Sequence, residues 1–416
     1  MPLNFNPDII VIGGGASGLM AAGRAAELGA KVLLLEKMGR VGIKLALTGK
    51  GRCNLTNGGD RQSFIENYRH NGKFLHNVFS RFFNQDLISF FHQKGLPTVE
   101  ERGKRVFPAS NRAQDVVRVL REHVASCGVQ TFLHTPARAI LQENDRVVGV
   151  RTDSGVRAAS RVILAPGGAS YSRTGSTGDG YRMAQELGHT LMAIRPALVP
   201  LEAEEGYIRE LQGLSLKNVR ATLFSSGRKA GEEFGEMLFT HFGVSGPIVL
   251  TLSGPAVEEF PRGRVELSID FKPGLTHEQV NQRLLREFRA GGRRKIINIM
   301  PNLLPQRLVP VLLRRGEISP ELKGGEIHAG TRRRMVDLLK DWRLTLRRAR
   351  PLEEAIVTAG GVATKEIHPS TMESRIVRGL HFCGEVIDID GKTGGYNLQA
   401  AFSTGWAAGE AAAKAR

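Results

Sequence analysis

Three glycines and one acid near the start of the chain stand at the spacing a dinucleotide needs. Asp8-Ile9-Ile10-Val11-Ile12 runs into Gly13-Gly14-Gly15-Ala16-Ser17-Gly18, and a second apolar run ends at Leu33-Leu34-Leu35-Glu36. In such a G-x-G-x-x-G turn, Gly13 allows the tight bend and Gly15 lets a pyrophosphate approach the backbone. Gly18 lets the following helix pack on the strand. The helix that opens at Ala16 offers free N–H groups and a partial positive charge to phosphates. Glu36 can accept hydrogen bonds from both ribose hydroxyls and would repel a 2′-phosphate. The site therefore reads as one for FAD or NAD, with Lys37 counted among the contacts.

Two later segments can converge on the same cofactor. Leu164-Ala165-Pro166-Gly167-Gly168 is a strand end of small residues, which places Ala165 and Gly167 at the carboxyl edge of a sheet. Cys383-Gly384-Glu385 ends another strand, and Gly394-Gly395-Tyr396-Asn397-Leu398 opens the last helix. The N–H groups there, at Asn397 and Leu398, can stabilise negative charge on a reduced flavin. One early, one central and one C-terminal segment is an order that resembles FAD proteins of the two-dinucleotide-fold superfamily, and it favours FAD over NAD.

Four further motifs carry a more specific resemblance. They are Gly51-Arg52-Cys53-Asn54-Leu55-Thr56-Asn57, Gly175-Ser176-Thr177-Gly178-Asp179-Gly180-Tyr181, Thr240-His241-Phe242-Gly243-Val244-Ser245-Gly246-Pro247 and Thr393-Gly394-Gly395-Tyr396-Asn397-Leu398-Gln399-Ala400. Over nearly its whole length the chain resembles the BaiN/RdsA-like NAD(P)/FAD-dependent oxidoreductases, some of which are called the aminoacetone oxidase family. The resemblance implies an α/β fold: a Rossmann-like FAD-binding domain with an inserted β-barrel domain that itself carries a helical insert. It implies FAD as cofactor and reduction of an activated C=C bond, either in an enone or in uridine of ribosomal RNA. Related flavoproteins often place Gly-Asp on the ribityl chain. Gly384-Glu385 departs from that pattern.

In similar flavoproteins the loop after the ribose acid travels to the isoalloxazine. That makes Cys53 a candidate general acid, protonating carbon opposite a hydride from flavin N5. Lys50 and Arg52 beside it would lower its pKa. The competing role is a buried thiol that packs the loop. Lys44 and Arg52 are candidate contacts for the pyrophosphate or an anionic substrate. His241 is an acid or an ordinary loop histidine, with the second reading favoured. Cys127 and Cys383 read as packing residues. No second G-x-G-x-x-G is present, so NAD(P)H as electron donor would dock on the flavin without a Rossmann site of its own, or another donor serves.

The elements that must position these residues alternate between two patterns. Strand and helix signals up to about residue 194 resume at about 351, which predicts a split FAD-binding domain of 1–194 and 351–416. Helical periodicity runs through Phe74–Lys94 and Ala113–Ser126. A β-rich stretch, with strands at Ala221–Ser225, Glu236–Thr240 and Val265–Ile269, predicts an insert of 195–275 and 341–350. Thr276, with Glu278 in the first turn, opens a helical insert of 276–340. Three cysteines lie far apart with no C-x-x-C, which predicts no disulfide framework, no metal site and a reducing cytoplasm. The chain shows no signal peptide and no apolar run long enough for a bilayer.

Charge adds a partner. The net charge is +17, and residues 281–350 hold 18 Lys/Arg against 6 Asp/Glu, an excess of 12. So concentrated an excess predicts an anionic partner, with RNA, and ribosomal RNA in particular, as the leading candidate. Three functions follow: an FAD-dependent reductase acting on RNA, a small-molecule flavin reductase or oxidase, and a flavin-containing RNA-binding factor without turnover.

Overall fold

The computed structural model describes residues 5–415. The chain forms two compact units, Met1–Arg195 with Ala355–Arg416, and Pro196–Glu354.

The first unit is built on a five-stranded parallel sheet. Its strands run in the order Leu380–Phe382, Arg161–Leu164, Ile9–Ile12, Val32–Leu35 and Gln130–Phe132. The two central runs, Ile9–Ile12 and Val32–Leu35, are buried at every position. This is why they read as continuous apolar stretches instead of alternating ones. Helix Ala16–Glu27 follows the first strand and buries Leu19, Met20, Ala22 and Ala25. The C-terminal helix, Tyr396–Lys414, packs directly on it. A Cβ added at Gly405 would lie 2.3 Å from Ser17 O, and one at Gly409 would lie 2.3 Å from Ala21 O. Only glycine at these two positions lets the helix backbones touch.

The second unit is a closed barrel of six strands. Leu201–Ala203, Gly243–Ser245, Arg228–Phe239, Ser215–Ser225, Val265–Asp270 and Trp342–Ala349 follow one another, and the last pairs back to the first. All neighbours are antiparallel. Trp342 and Phe239 are fully buried in its core. Between the fifth and sixth strands lie the helices His277–Ala290 and Ala329–Lys340, with shorter ones between them. Thr276 Oγ1 accepts from Gln279 N while Thr276 N donates to Gln279 Oε1, a reciprocal cap that starts the first of these helices. Its apolar stripe, Val280, Leu284 and Phe288, is buried. The charged residues fall on the remaining face.

Four local expectations need correction. The Phe74–Lys94 periodicity is two helices, His76–Arg81 and Asn84–Gln93. The chain turns out of helical geometry at Phe82 and Phe83, and Asp86 caps the restart by accepting from Phe83 N at 2.8 Å. Within the β-rich stretch, Pro247–Glu259 is a helix. Ile248, Val249, Leu252, Ser253, Gly254 and Ala256 are all buried, so no polar face advertises its period. The strands at Ala221–Ser225 and Glu236–Thr240 extend to Ser215–Ser225 and Arg228–Phe239, one long hairpin. A register shift between Leu216 and Val219 breaks its alternation and hides its length. The loop expected after the ribose acid Glu36 contains a helix, Ile43–Gly51, that departs from helical geometry at Thr48, Gly49 and Lys50.

Candidate active site

The phosphate turn sits where the first strand leaves the sheet. Gly13 has φ +103°, and a Cβ there would lie 2.3 Å from Ala165 O. A Cβ on Gly18 would lie 1.9 Å from Gly13 O. Both glycines are required by the protein itself. Gly15 differs: φ is −84°, and an added Cβ would meet nothing within 4 Å. The backbone there faces open space. The first helical bond runs from Leu19 N to Gly15 O at 2.9 Å, so the N–H groups of Ala16 and Ser17 precede the ladder and point out of it. This is an anion cradle that the chain leaves clear. Glu36 stands beside it, with Oε2 accepting from Gly14 N at 2.7 Å and Oε1 from Met38 N at 2.8 Å. These bonds fix the carboxylate and leave it lone pairs for a ribose.

The later segments reach the same edge of the sheet. Ala165 N donates to Ile12 O at 2.9 Å, continuing the strand pairing into the turn. Gly167 and Gly384 both take positive φ, +79° and +76°. A Cβ on Gly384 would strike Ser17 Oγ at 2.4 Å, so the loop after the last strand lies against the first helix. At the C-terminal helix, Gln399 N makes the first ladder bond, to Gly395 O, which leaves the N–H groups of Asn397 and Leu398 ahead of it. The open cradle and this second helix N-terminus fit FAD, which carries anionic character at both its pyrophosphate and its reduced ring.

Lys44 and Glu385 meet as a pair. Lys44 Nζ lies 2.7 Å from Glu385 Oε2 and donates to Ser170 Oγ at 2.7 Å. Glu385 Oε1 accepts from Thr358 N at 2.8 Å and from Ser170 Oγ at 3.0 Å. Each charged side chain is only about a fifth exposed, at 21% and 19%. Burial raises the Glu385 carboxyl, but the Lys44 charge and the bonds from Lys44 and Thr358 outweigh it and hold the group below its ordinary value. Ser170 and Thr358 carry no motif signal and become visible only once four distant segments are brought together.

Other candidates go elsewhere. The Arg52 guanidinium pairs with Glu101 and Asn111 and stacks 4.2 Å over the Phe107 ring, so it does not sit beside the thiol. Lys37 Nζ bonds Thr177 Oγ1 and Asp179 Oδ2, tying the Gly175–Tyr181 motif to the end of the second strand. Cys53 is fully buried with φ +60°. Burial pushes its thiol up to about 12 against a weaker opposing bond to Thr48. The expected lowering by Lys50 and Arg52 is therefore overturned, because desolvation dominates and Arg52 points away. The Asn397 side chain braces its own loop, accepting from Gly391 N and donating to Gly391 O, both at 2.8 Å. Asn54 is a further positioning residue: with its amide turned to suit its neighbours, it accepts from Gly395 N and donates to Val106 O. The Gly51–Asn57 motif is thus laced to the start of the C-terminal helix.

Two outcomes follow. Gly15→Val should fold with wild-type stability, since the protein offers nothing to clash with. It should fail to take up FAD, measured as flavin absorbance after gel filtration; a flavin-replete variant would contradict the cradle. Lys44→Met should cost about 2 kcal/mol by denaturant melt, a discounted value for a pair still partly in water. The folded Glu385 value is depressed, so the pair's stability is fully present above the ordinary carboxyl value of 4.5 and is lost as pH falls through the lower folded value. The gap between wild type and Lys44→Met should therefore close as the pH is lowered through that window. A gap unchanged between pH 7 and pH 3 would contradict the assignment.

The family model described as HI0933-like protein Rossmann domain matches residues 7–411. A 3-dehydro-bile acid delta(4,6)-reductase of Clostridium scindens is 33% identical over 408 residues, covering 97% of this chain and 98% of that protein. A ribosomal RNA dihydrouridine synthase of Haemophilus influenzae is 30% identical over 405 residues, 96% of each chain. Its Escherichia coli namesake is likewise 30% identical, over 406 residues and 96% of each chain. Among solved structures, 3-ketosteroid delta1-dehydrogenase from Sterolibacterium denitrificans shares the fold, with TM-score 0.52 at 14% identity over 99% of this chain and all of that one. Among the described residues no helix is long and apolar enough to cross a membrane. The chain belongs to the HI0933-like Rossmann-domain family and is an FAD-dependent oxidoreductase.

Proposed function

We propose that this enzyme reduces an activated C=C bond, and that its substrate is uridine in ribosomal RNA, converted to dihydrouridine. One observation carries the RNA half. Arg289, Arg293, Arg333 and Arg334 are exposed, and none of their side chains has a hydrogen bond or ion pair among the described residues. Several other arginines of the segment are occupied: Arg283 pairs with Glu287, Arg314 with Glu210, and Arg348 and Arg350 with Glu202. Arg332 donates to Asn281 Oδ1 at 2.7 Å and belongs to the helix packing. Such free guanidinium groups are what a phosphate backbone would meet. The relatives named as ribosomal RNA dihydrouridine synthases support the same substrate.

FAD, when bound, would supply a hydride to one carbon of the uridine double bond. The Ala16 and Ser17 N–H groups would hold its pyrophosphate end, and Lys44 and Glu385 set the later loops. The second carbon would take a proton, which solvent water can supply. A thiol shifted to about 12 is a poor general acid at neutral pH, where a donor nearer the working pH is more effective. We assign Cys53 to packing the loop. Electrons would come from NAD(P)H docking on the flavin, since the chain has only one dinucleotide turn.

A small-molecule reading has support of its own, because the bile acid reductase is slightly the more similar relative, at 33% identity. The two substrates separate in one experiment. Ribosomal RNA from a strain lacking this chain should lose a dihydrouridine on mass mapping, and the wild-type gene should restore it. An unchanged RNA map, with enone reduction by the purified enzyme, would establish the small-molecule reading.

These four arginines and Cys53 can be tested in vitro. Replacing Arg289, Arg293, Arg333 and Arg334 with Gln should weaken RNA binding. It should also flatten the salt dependence, by roughly 0.7–0.9 in slope for each phosphate that is no longer neutralised. The flavin spectrum should not change. An unaltered salt slope would exclude this surface. Cys53→Ala should keep FAD and hold substrate-dependent flavin reoxidation within about tenfold of wild type. A fall of roughly 10²–10⁴ with FAD retained would restore the acid role.

A further inference from the structure

Away from the cofactor edge, three side chains with metal-binding chemistry meet between two helices of the first unit. His123 lies in the last turn of helix Ala113–Ser126, and Cys127 follows it by four residues as the helix's C-cap. Cys127 Sγ is 3.7 Å from His123 Nδ1. Glu27, the last residue of helix Ala16–Glu27, places Oε1 3.5 Å from the other ring nitrogen, His123 Nε2, so a metal held at Nδ1 beside the thiol requires the carboxylate to swing toward it. One ligand atom from each residue falls within 4.8 Å of the others. Donors around a tetrahedral zinc, at bond lengths of 2.0–2.3 Å, are about 3.3–3.8 Å apart. The set needs a side-chain contraction of about 1 Å, which falls to the exposed Glu27 carboxylate, since His123 is buried against Gly23 and Phe90.

Two features favour a cation here. Gly23 makes space for the imidazole, since a Cβ there would lie 2.5 Å from His123 Nε2. Both helices end at this place, so the negative ends of two helix dipoles face it. Positive neighbours are present: Arg24 Nη1 lies 3.4 Å from Glu27 Oε2, and Lys94 stacks its ammonium 4.9 Å over Phe90, whose ring packs on His123. They oppose a purely electrostatic cation site and select for a metal that gains from a thiolate.

We propose that Glu27, His123 and Cys127 form a three-ligand site for a divalent cation of the zinc class, with a fourth position open to water. Thiolate, imidazole and carboxylate are zinc's protein ligands, and three of them with one open position is a known stoichiometry. Binding displaces the Cys127 thiol proton and would pin the end of the nucleotide-binding helix to its neighbour. The cysteine spacing conceals the site, because Glu27 joins from a separate helix.

The test uses the full FAD-loaded chain. Zinc added against a chromogenic chelator should bind at one ion per chain with Kd below about 10 μM. Cobalt(II) in its place should give a thiolate-to-metal charge-transfer band. Cys127→Ser should abolish that band and weaken zinc at least about tenfold; Glu27→Gln, at an exposed position, should also weaken zinc at least about tenfold. Thermal melting without metal and the flavin spectrum should match wild type in both variants. No binding at about 10 μM, or binding by both variants equal to wild type, would overturn the proposal.

Discussion

The structure of the first unit depends on how closely one helix is held. Gly13 and Gly18 press the start of helix Ala16–Glu27 against the strand turn and Ala165, while Gly405 and Gly409 let the C-terminal helix lie on Ser17 and Ala21. Backbone meets backbone on both sides, so the helix can neither slide nor tilt without colliding on one side or opening a gap on the other. Its free N-terminus is therefore aimed at one place, the carboxyl edge of the sheet. Gly15 is the exception that gives this constraint a use, because it alone among the helix-opening glycines faces open space.

Electrostatics then collects segments that are distant in the chain. Lys44, Ser170, Thr358 and Glu385 come from four separate stretches and share one hydrogen-bonded ion pair. A charge pair of this kind is weak evidence for net stability, since desolvation offsets much of the attraction. Its effect is on geometry: if either partner is missing, the other is left with an uncompensated charge against the loops. A Glu in place of the shorter Asp reaches Lys44 here, which gives the Gly384-Glu385 departure a structural meaning.

Much of the site was legible in the sequence because its demands are local. A turn glycine, a helix start and an acid at a strand end are each set by neighbours within a few residues. The resemblance implied a barrel, and the expected Val265–Ile269 strand is part of the finished one. What was not legible depends on packing. The helix Pro247–Glu259 is apolar on nearly every side, so it has no period to read. Arg52 and Lys37 looked like cofactor contacts by proximity in sequence, yet Glu101 and Asp179, far along the chain, engage them. The Cys53 pKa could not be read from its charged neighbours, since burial outweighs them.

The central claim is that two helix N-termini, at Ala16–Ser17 and at Asn397–Leu398, serve one bound FAD. Backbone amide resonances of the deuterated, ¹⁵N-labelled apoprotein, followed through an FAD titration, test it most directly. The account predicts that both pairs of amides shift together and saturate at one equivalent. Saturation that moves Ala16 and Ser17 but leaves Asn397 and Leu398 in place would contradict it.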